Sequence, residues 1–237
     1  YTVMVATSTT LAISPAMYDK PAATAPDFTG IAMIGNVSLL LVTRPDMPAA
    51  SLKELVEAIR RAPGKYNFAS PGTGTMHHLV IEMIKAQEGL QATHVPYQGS
   101  VAALTDVLTG RVDFMFIDAV AGMPHVKADK LRLLAVAAPN RLPEMPEVQT
   151  VAEVYPRIDV YAWQAIAGPR ALQPELVGRL NAEINKLLAT PDMQESLRLV
   201  GVQANPLGVR EVNEVIERDA KRFGDLVRAT GVRVERQ

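Results

Sequence analysis

Apolar runs broken by polar turns set the first expectations. "YTVMVATSTT" begins with Val3, Met4, Val5 and Ala6 and passes into Thr7, Ser8, Thr9 and Thr10, which reads as a buried strand entering a hydroxyl-rich loop. "IAMIGNVSLLLVTRP" is long and β-branched, a strand with a break expected at Gly35-Asn36. In "DMPAASLKELVEAIRRAPGK", Leu52, Leu55, Val56 and Ile59 recur at helical spacing. Ser51 is placed to cap that helix, Glu54 to complete a capping box, and Pro63-Gly64 to end it.

The alternation continues. The apolar run from Tyr66 to Ala69 is a strand, followed by a turn holding Pro71, Gly72 and Gly74 and a helix from about Met76 to Gln87. "ATHVPYQG" reads as a short strand and loop, "SVAALTDVLTG" as a helix, "RVDFMFIDA" as a buried strand of the parallel kind, "VAGMPHVKADK" as a weak helix or turn, and "LRLLAVAAP" as another buried strand. Strand and helix succeeding one another in this way mark an α/β layer fold. Past Asn140 the texture changes. A connection carries Pro143, Pro146 and Pro156, and "YAWQAIAGPRAL" is strand-like. Two helices follow with Pro174 and Pro191 in their first turns, then a last helix with Val212, Val215, Ile216, Ala220 and Phe223 on one face. The expected division is one lobe from residues 36–155 and a second from residues 1–35 and 156–237.

Composition narrows the chemistry. The 237 residues are 48% hydrophobic and 21% charged, with a formal net charge of −1. No basic excess marks a nucleic-acid binder, and no basic cluster marks a membrane-surface patch. With no cysteine in the chain, thiol catalysis, disulfides and cysteine-held zinc are excluded. No apolar run reaches the roughly 18 residues of a membrane span. The chain opens on Tyr1 within a strand-like run, as a processed or truncated product would.

The turn at residues 70–75 holds the most suggestive chemistry. A strand, a glycine-containing turn and a helix start place unpaired N–H groups and the positive end of the helix dipole at one point, which suits an anion. Gly72 and Gly74 allow close backbone approach, and Ser70, Thr73 and Thr75 add hydroxyls. The plain alternative is a helix capped by Thr75. The turn is neither a P-loop nor a dinucleotide fingerprint. His77 and His78 point about 100° apart on a helix and do not form a metal pair. Ser70 could serve as a nucleophile, but no sequence pattern supplies its base. Asp118 closes an apolar strand, where α/β proteins place ligand contacts or a simple helix cap.

"YNFASPGTGTMHHL", "THVPYQGSVAALTDVLTGRVDFMF" and "KLRLLAVAAPNRLPEMPEVQTVAE" together resemble the Bug/TctC family, the extracytoplasmic solute receptors of tripartite tricarboxylate transporters. The resemblance runs in order along essentially the whole chain. It implies an α/β, two-lobed, type II periplasmic binding protein-like fold and a periplasmic location. It also implies a small carboxylate ligand, the transporter's membrane components as partners, and no catalysis or cofactor. The implied ligand contacts are Thr7, Ser8 and Thr9 in one lobe. In the other they are Ser70, Gly72, Thr73, Gly74 and Thr75, with His78 and Asp118. The family pattern has an earlier strand and Pro-Gly-Gly loop, so the first lobe is expected to be N-terminally truncated. Carboxylate binding is then expected to be weak, and self-association through an open sheet edge to be favoured. The rivals are a serine hydrolase using Ser70 and an effector-binding regulatory domain.

Overall fold

In the computed structural model, residues 2–230 are described, and the expectation for Tyr1 lies outside them. The chain divides into two compact units, Tyr1–Val37 with Ala162–Gln237, and Ser38–Tyr161.

In the first unit, β1 (Met4–Thr7) leads into a π-helical turn over Thr9–Ile13 that continues as α1 (Ser14–Met17), followed by β2 (Phe28–Val37). The second unit comprises β3 (Leu39–Thr43), α2 (Leu52–Arg61), β4 (Asn67–Ser70), α3 (Met76–Glu88), β5 (Thr93–Pro96) and α4 (Ser100–Leu108). It continues with β6 (Phe114–Asp118), α5 (Ala119–Lys127), β7 (Arg132–Ala137) and α6 (Val151–Val154). The chain then returns to the first unit with β8 (Ala162–Pro169), α7 (Pro174–Leu188), α8 (Pro191–Leu199), β9 (Val202–Ala204) and α9 (Val209–Thr230).

The first unit is built on a four-stranded antiparallel sheet in the order β1-β8-β2-β9. β1 differs from the buried strand expected. Among the described residues it lies at the sheet edge, with Val5 62% exposed, Val3 just before it 50% exposed, and Ala6 alone fully buried. An edge strand covered on one face buries only alternate side chains, and an apolar run does not reveal that position. The expected break at Gly35-Asn36 is also displaced. β2 runs through both residues, with irregular register beside Gly35, and the strand ends at Val37. The hydroxyl-rich "loop" after β1 is helical from Thr9 onward.

Helix α9 presents Val212, Ile216, Phe223 and Val227 as buried residues, and Asp219 is buried among them. The Trp163 indole donates to Asp219 Oδ2 at 2.8 Å, with both residues buried. Replacing Asp219 by leucine strands that N–H without an acceptor. The expected cost is about 1–3 kcal/mol, measurable as a lowered melting temperature, with tryptophan fluorescence shifting at Trp163.

The second unit has a five-stranded mixed sheet in the order β5-β4-β6-β3-β7. β6 is parallel to β4 but antiparallel to β3, so it is not the all-parallel strand expected. Ser51 caps α2 by accepting from the Glu54 amide, but the Glu54 carboxylate accepts from the Ala50 amide and not from that of Ser51, so the expected capping box is not closed. The core of this sheet includes Leu40, Val42, Ala69, Met115, Ile117 and Val136.

Candidate functional site

β4, β5 and β6 are mutually parallel, and each runs directly toward a helix. Ser70, Pro96 and Asp118 end the three strands, so α3, α4 and α5 all begin at the carboxyl edge of this part of the sheet. Three helix N-termini at one edge concentrate unpaired amides and positive dipole ends, and this is the edge where open α/β sheets bind ligands.

The turn between β4 and α3 is held from both sides. Tyr97 and Gly99, which follow β5, donate backbone bonds to the Ser70 and Pro71 carbonyls at 3.0 and 3.1 Å. The Tyr97 hydroxyl donates to Asp106 at 2.6 Å; burial and this bond push its pKa up to about 12, so it stays a donor. Thr75 is the N-cap of α3, its side chain accepting from the His78 amide. Gly74 has φ 77, in the left-handed region, and is buried.

Gly72 and Gly74 are in the turn, yet their amides are engaged within it. Gly72 donates to Ser70 Oγ at 3.2 Å and Gly74 to His78 Nδ1 at 3.1 Å. The amides that keep no intramolecular acceptor among the described residues are those of Thr73, Met76 and His77. Thr73 is itself exposed.

His78 is 4% exposed, and its ring stacks on that of His94 with centroids 3.8 Å apart. Phe68 stacks on His94 in turn, and Phe114 on Phe68. Ser70 Oγ lies 2.7 Å from His94 Nε2, a pairing of residues 24 positions apart that no sequence motif announced. The pair does not make a nucleophile. Ser70 is 0% exposed, and burial, followed by the neighbouring His78 ring, depresses the pKa of His94 to about 4, which leaves a weak base. Between an ordinary histidine pKa near 6.5 and this lowered value, the unfolded chain binds a proton that the folded chain refuses. Stability therefore falls as pH drops from about 6.5 to 4. A His94→Gln variant is expected to flatten this part of the melting temperature–pH curve.

His77, on the neighbouring position of α3, has both ring nitrogens buried without a hydrogen-bond partner among the described residues, and Nε2 is 3.3 Å from Asp118 Oδ1. Burial raises the Asp118 carboxyl, but contact with His77 outweighs it and holds Asp118 below the usual carboxylate range. His77 was not singled out from the sequence as a site residue; its adjacency to Asp118 depends on α3 and β6 lying side by side. Thr7, Ser8 and Thr9 belong to the first unit. Thr7 exchanges hydrogen bonds with Thr10, and Ser8 is buried. Among the described residues no cluster of three or more potential metal ligands occurs.

These two sheets with their flanking helices define the class: the chain has the fold of periplasmic binding proteins. Residues 1–232 match the family described as the tripartite tricarboxylate transporter family receptor, TctC, and the chain belongs to that family. It is similar to a UPF0065 protein from the tcbD-tcbE intergenic region of Pseudomonas sp. (strain P51), at 32% identity over 203 residues. That match takes in 85% of this chain and 60% of the relative, and a match to BugT of Bordetella pertussis covers 64% of that protein. Among solved structures, R. palustris Rpa4515 with adipate is similar with a TM-score of 0.86 and 26% identity, over 98% of this chain and 79% of that one. MatC of Rhodopseudomonas palustris with bound malate gives 0.81 and 25%, over 95% and 78%.

Proposed function

We propose that this chain is a periplasmic solute receptor that captures a small carboxylate for a tripartite tricarboxylate transporter, with the transporter's membrane components as its partners. The observation that carries this reading is the convergence of three helix starts at the carboxyl edge of β4, β5 and β6, with the Thr73, Met76 and His77 amides unengaged. Neutral amide donors bind an anion without the desolvation cost of burying a counter-charge. The two solved relatives that carry adipate and malate support the ligand class. Among the described residues no helix is long and apolar enough to cross a membrane. An ionised Asp118 accepts a ligand donor and repels a second carboxylate, so it selects for where the ligand carries its charge. A thermal-shift screen with small carboxylates tests the proposal. A ligand at 100 times its Kd stabilises by about 2.7 kcal/mol. A flat response across mono-, di- and tricarboxylates would oppose it.

Self-association is a further part of the proposal. β1 has a strand partner on one side only among the described residues; Val5 within it and Val3 just before it are exposed. Light scattering should show assembly that a Val5→Lys substitution reverses.

A further inference from the structure

His78 touches the turn in a way that a packed core histidine would not. Its Nδ1 accepts the Gly74 N–H at 3.1 Å, so this nitrogen carries no proton and the neutral ring holds its proton on Nε2. Gly74 needs that bond: the residue is buried, and among the described residues its amide has no other acceptor. The second face of the ring is closed by the stacked His94, whose Nε2 meets Ser70 Oγ at 2.7 Å. The two imidazoles thus grip the turn at both ends, His94 at Ser70 and His78 at Gly74.

We propose that His78 is a positioning residue: as a neutral imidazole stacked on His94, it holds residues 71–75 in the form that leaves the Thr73, Met76 and His77 amides free, and protonation of this stacked pair releases the turn. A charged His78 would present an N–H to the Gly74 N–H, donor against donor. Two stacked cations 3.8 Å apart would also repel.

The groups facing the pair fix how it titrates. On α3, Glu82 Oε1 is 3.7 Å from His78 Nε2, and Lys85 bonds the same oxygen at 2.6 Å. Burial raises Glu82, but bonding from His78 and Lys85 brings it below the ordinary range, so it stays ionised. Lys85, 5.1 Å from the Phe68 ring centroid, supplies the opposing positive charge. From β4 come Phe68 and Ser70, which do not titrate, and from β5 His94, which burial and the neighbouring His78 keep neutral down to about pH 4. A proton on His78 Nδ1 takes away the acceptor of the Gly74 N–H, and that is the step that releases the turn. As a consequence, a receptor bound to an acid at neutral pH loosens its grip in an acidified periplasm. Only this last step rests on the receptor reading.

The test separates the two. In the ligand-free protein, long-range proton–nitrogen spectra should place His78 Nδ1 in the unprotonated position. Hydrogen exchange corrected for intrinsic rates should show the Gly74 amide protected at pH 7.5, with protection falling at least tenfold as the pair protonates. His78→Asn puts a carbonyl oxygen near Nδ1 and should retain protection at every pH, whereas His78→Leu should lose it at every pH with its circular dichroism unchanged. Titration with adipate and malate, as probes, should follow the same order. A proton on Nδ1, or a Gly74 amide as protected in His78→Leu as in the wild type, overturns the proposal whatever the probes do. Absence of binding by either probe, with the Gly74 pattern intact, counts against the receptor reading and not against the role of His78 in the turn.

Discussion

Alanine at Gly35 is expected to destabilise the protein by about 3 kcal/mol, the upper part of the range for forced overpacking. A β-carbon there would lie 2.3 Å from the Gln203 backbone oxygen and 2.7 Å from Val202 Cγ1. The obstacle is mainly backbone, so no rotamer change relieves it. β9 must then move off β2, breaking the pairing of Gly35 with Ala204 and of Asn36 with Gln203. β9 has only three residues and, among the described residues, pairs with β2 alone in the sheet. Gly178→Ala is the internal control. It lies in the interior of α7 with nothing within 4 Å of the added carbon, and should stabilise by about 0.5–1 kcal/mol. Thermal melts of the two variants should move in opposite directions. A Gly35→Ala protein within about 0.5 kcal/mol of wild type, inside the range of ordinary surface substitutions, would mean that β9 does not need its contact with β2.

Valine at Gly74 is expected to lower carboxylate affinity by more than tenfold, or about 1.4 kcal/mol. A left-handed backbone costs an ordinary residue about 1–2 kcal/mol, and more for a β-branched one. The turn relieves that strain by rotating the peptide, which takes the Gly74 N–H away from His78 Nδ1 and displaces the neighbouring Thr73 amide. The control is Gly64→Val. Gly64 has nearly the same φ, 75, but stands in the turn after α2 with nothing within 4 Å. It should lose comparable stability and no affinity. Calorimetric titration of both variants with the same acid separates the strain from the site; equal affinity losses would place the effect in global stability.

Features legible in the sequence were local ones. Ser51 with Glu54, Thr75 before α3, and Pro174 and Pro191 at helix starts are decided within one helical turn, where spacing and side-chain chemistry suffice. So was the turn at residues 70–75, whose glycines mark where the chain reverses. Features decided by distant partners were not legible. The apolar composition of β1 suggests burial, while its exposure depends on its having, among the described residues, β8 on one side alone. Asp219 sits where the helical pattern calls for an apolar residue, because Trp163, 56 positions earlier, needs an acceptor. A glycine-containing turn does not show by its sequence which of its amides are engaged within it. Ser70 and His78 accept from the Gly72 and Gly74 amides, and among the described residues the unengaged amides fall on Thr73, Met76 and His77. His94 and His77 gave no signal by spacing, since each acts through a neighbour brought by the sheet: Ser70 for one, Asp118 for the other.

The most direct test of the central claim is a calorimetric titration of the protein at neutral pH with malate and adipate, beside their uncharged diamides. The amide edge of β4, β5 and β6 recognises charge, so at least one acid should bind with a saturable one-to-one isotherm. Its diamide should bind at least tenfold more weakly, a loss of about 1.4 kcal/mol. An acid and its diamide binding equally, or neither acid binding at all, would contradict the assignment of this edge as a carboxylate site.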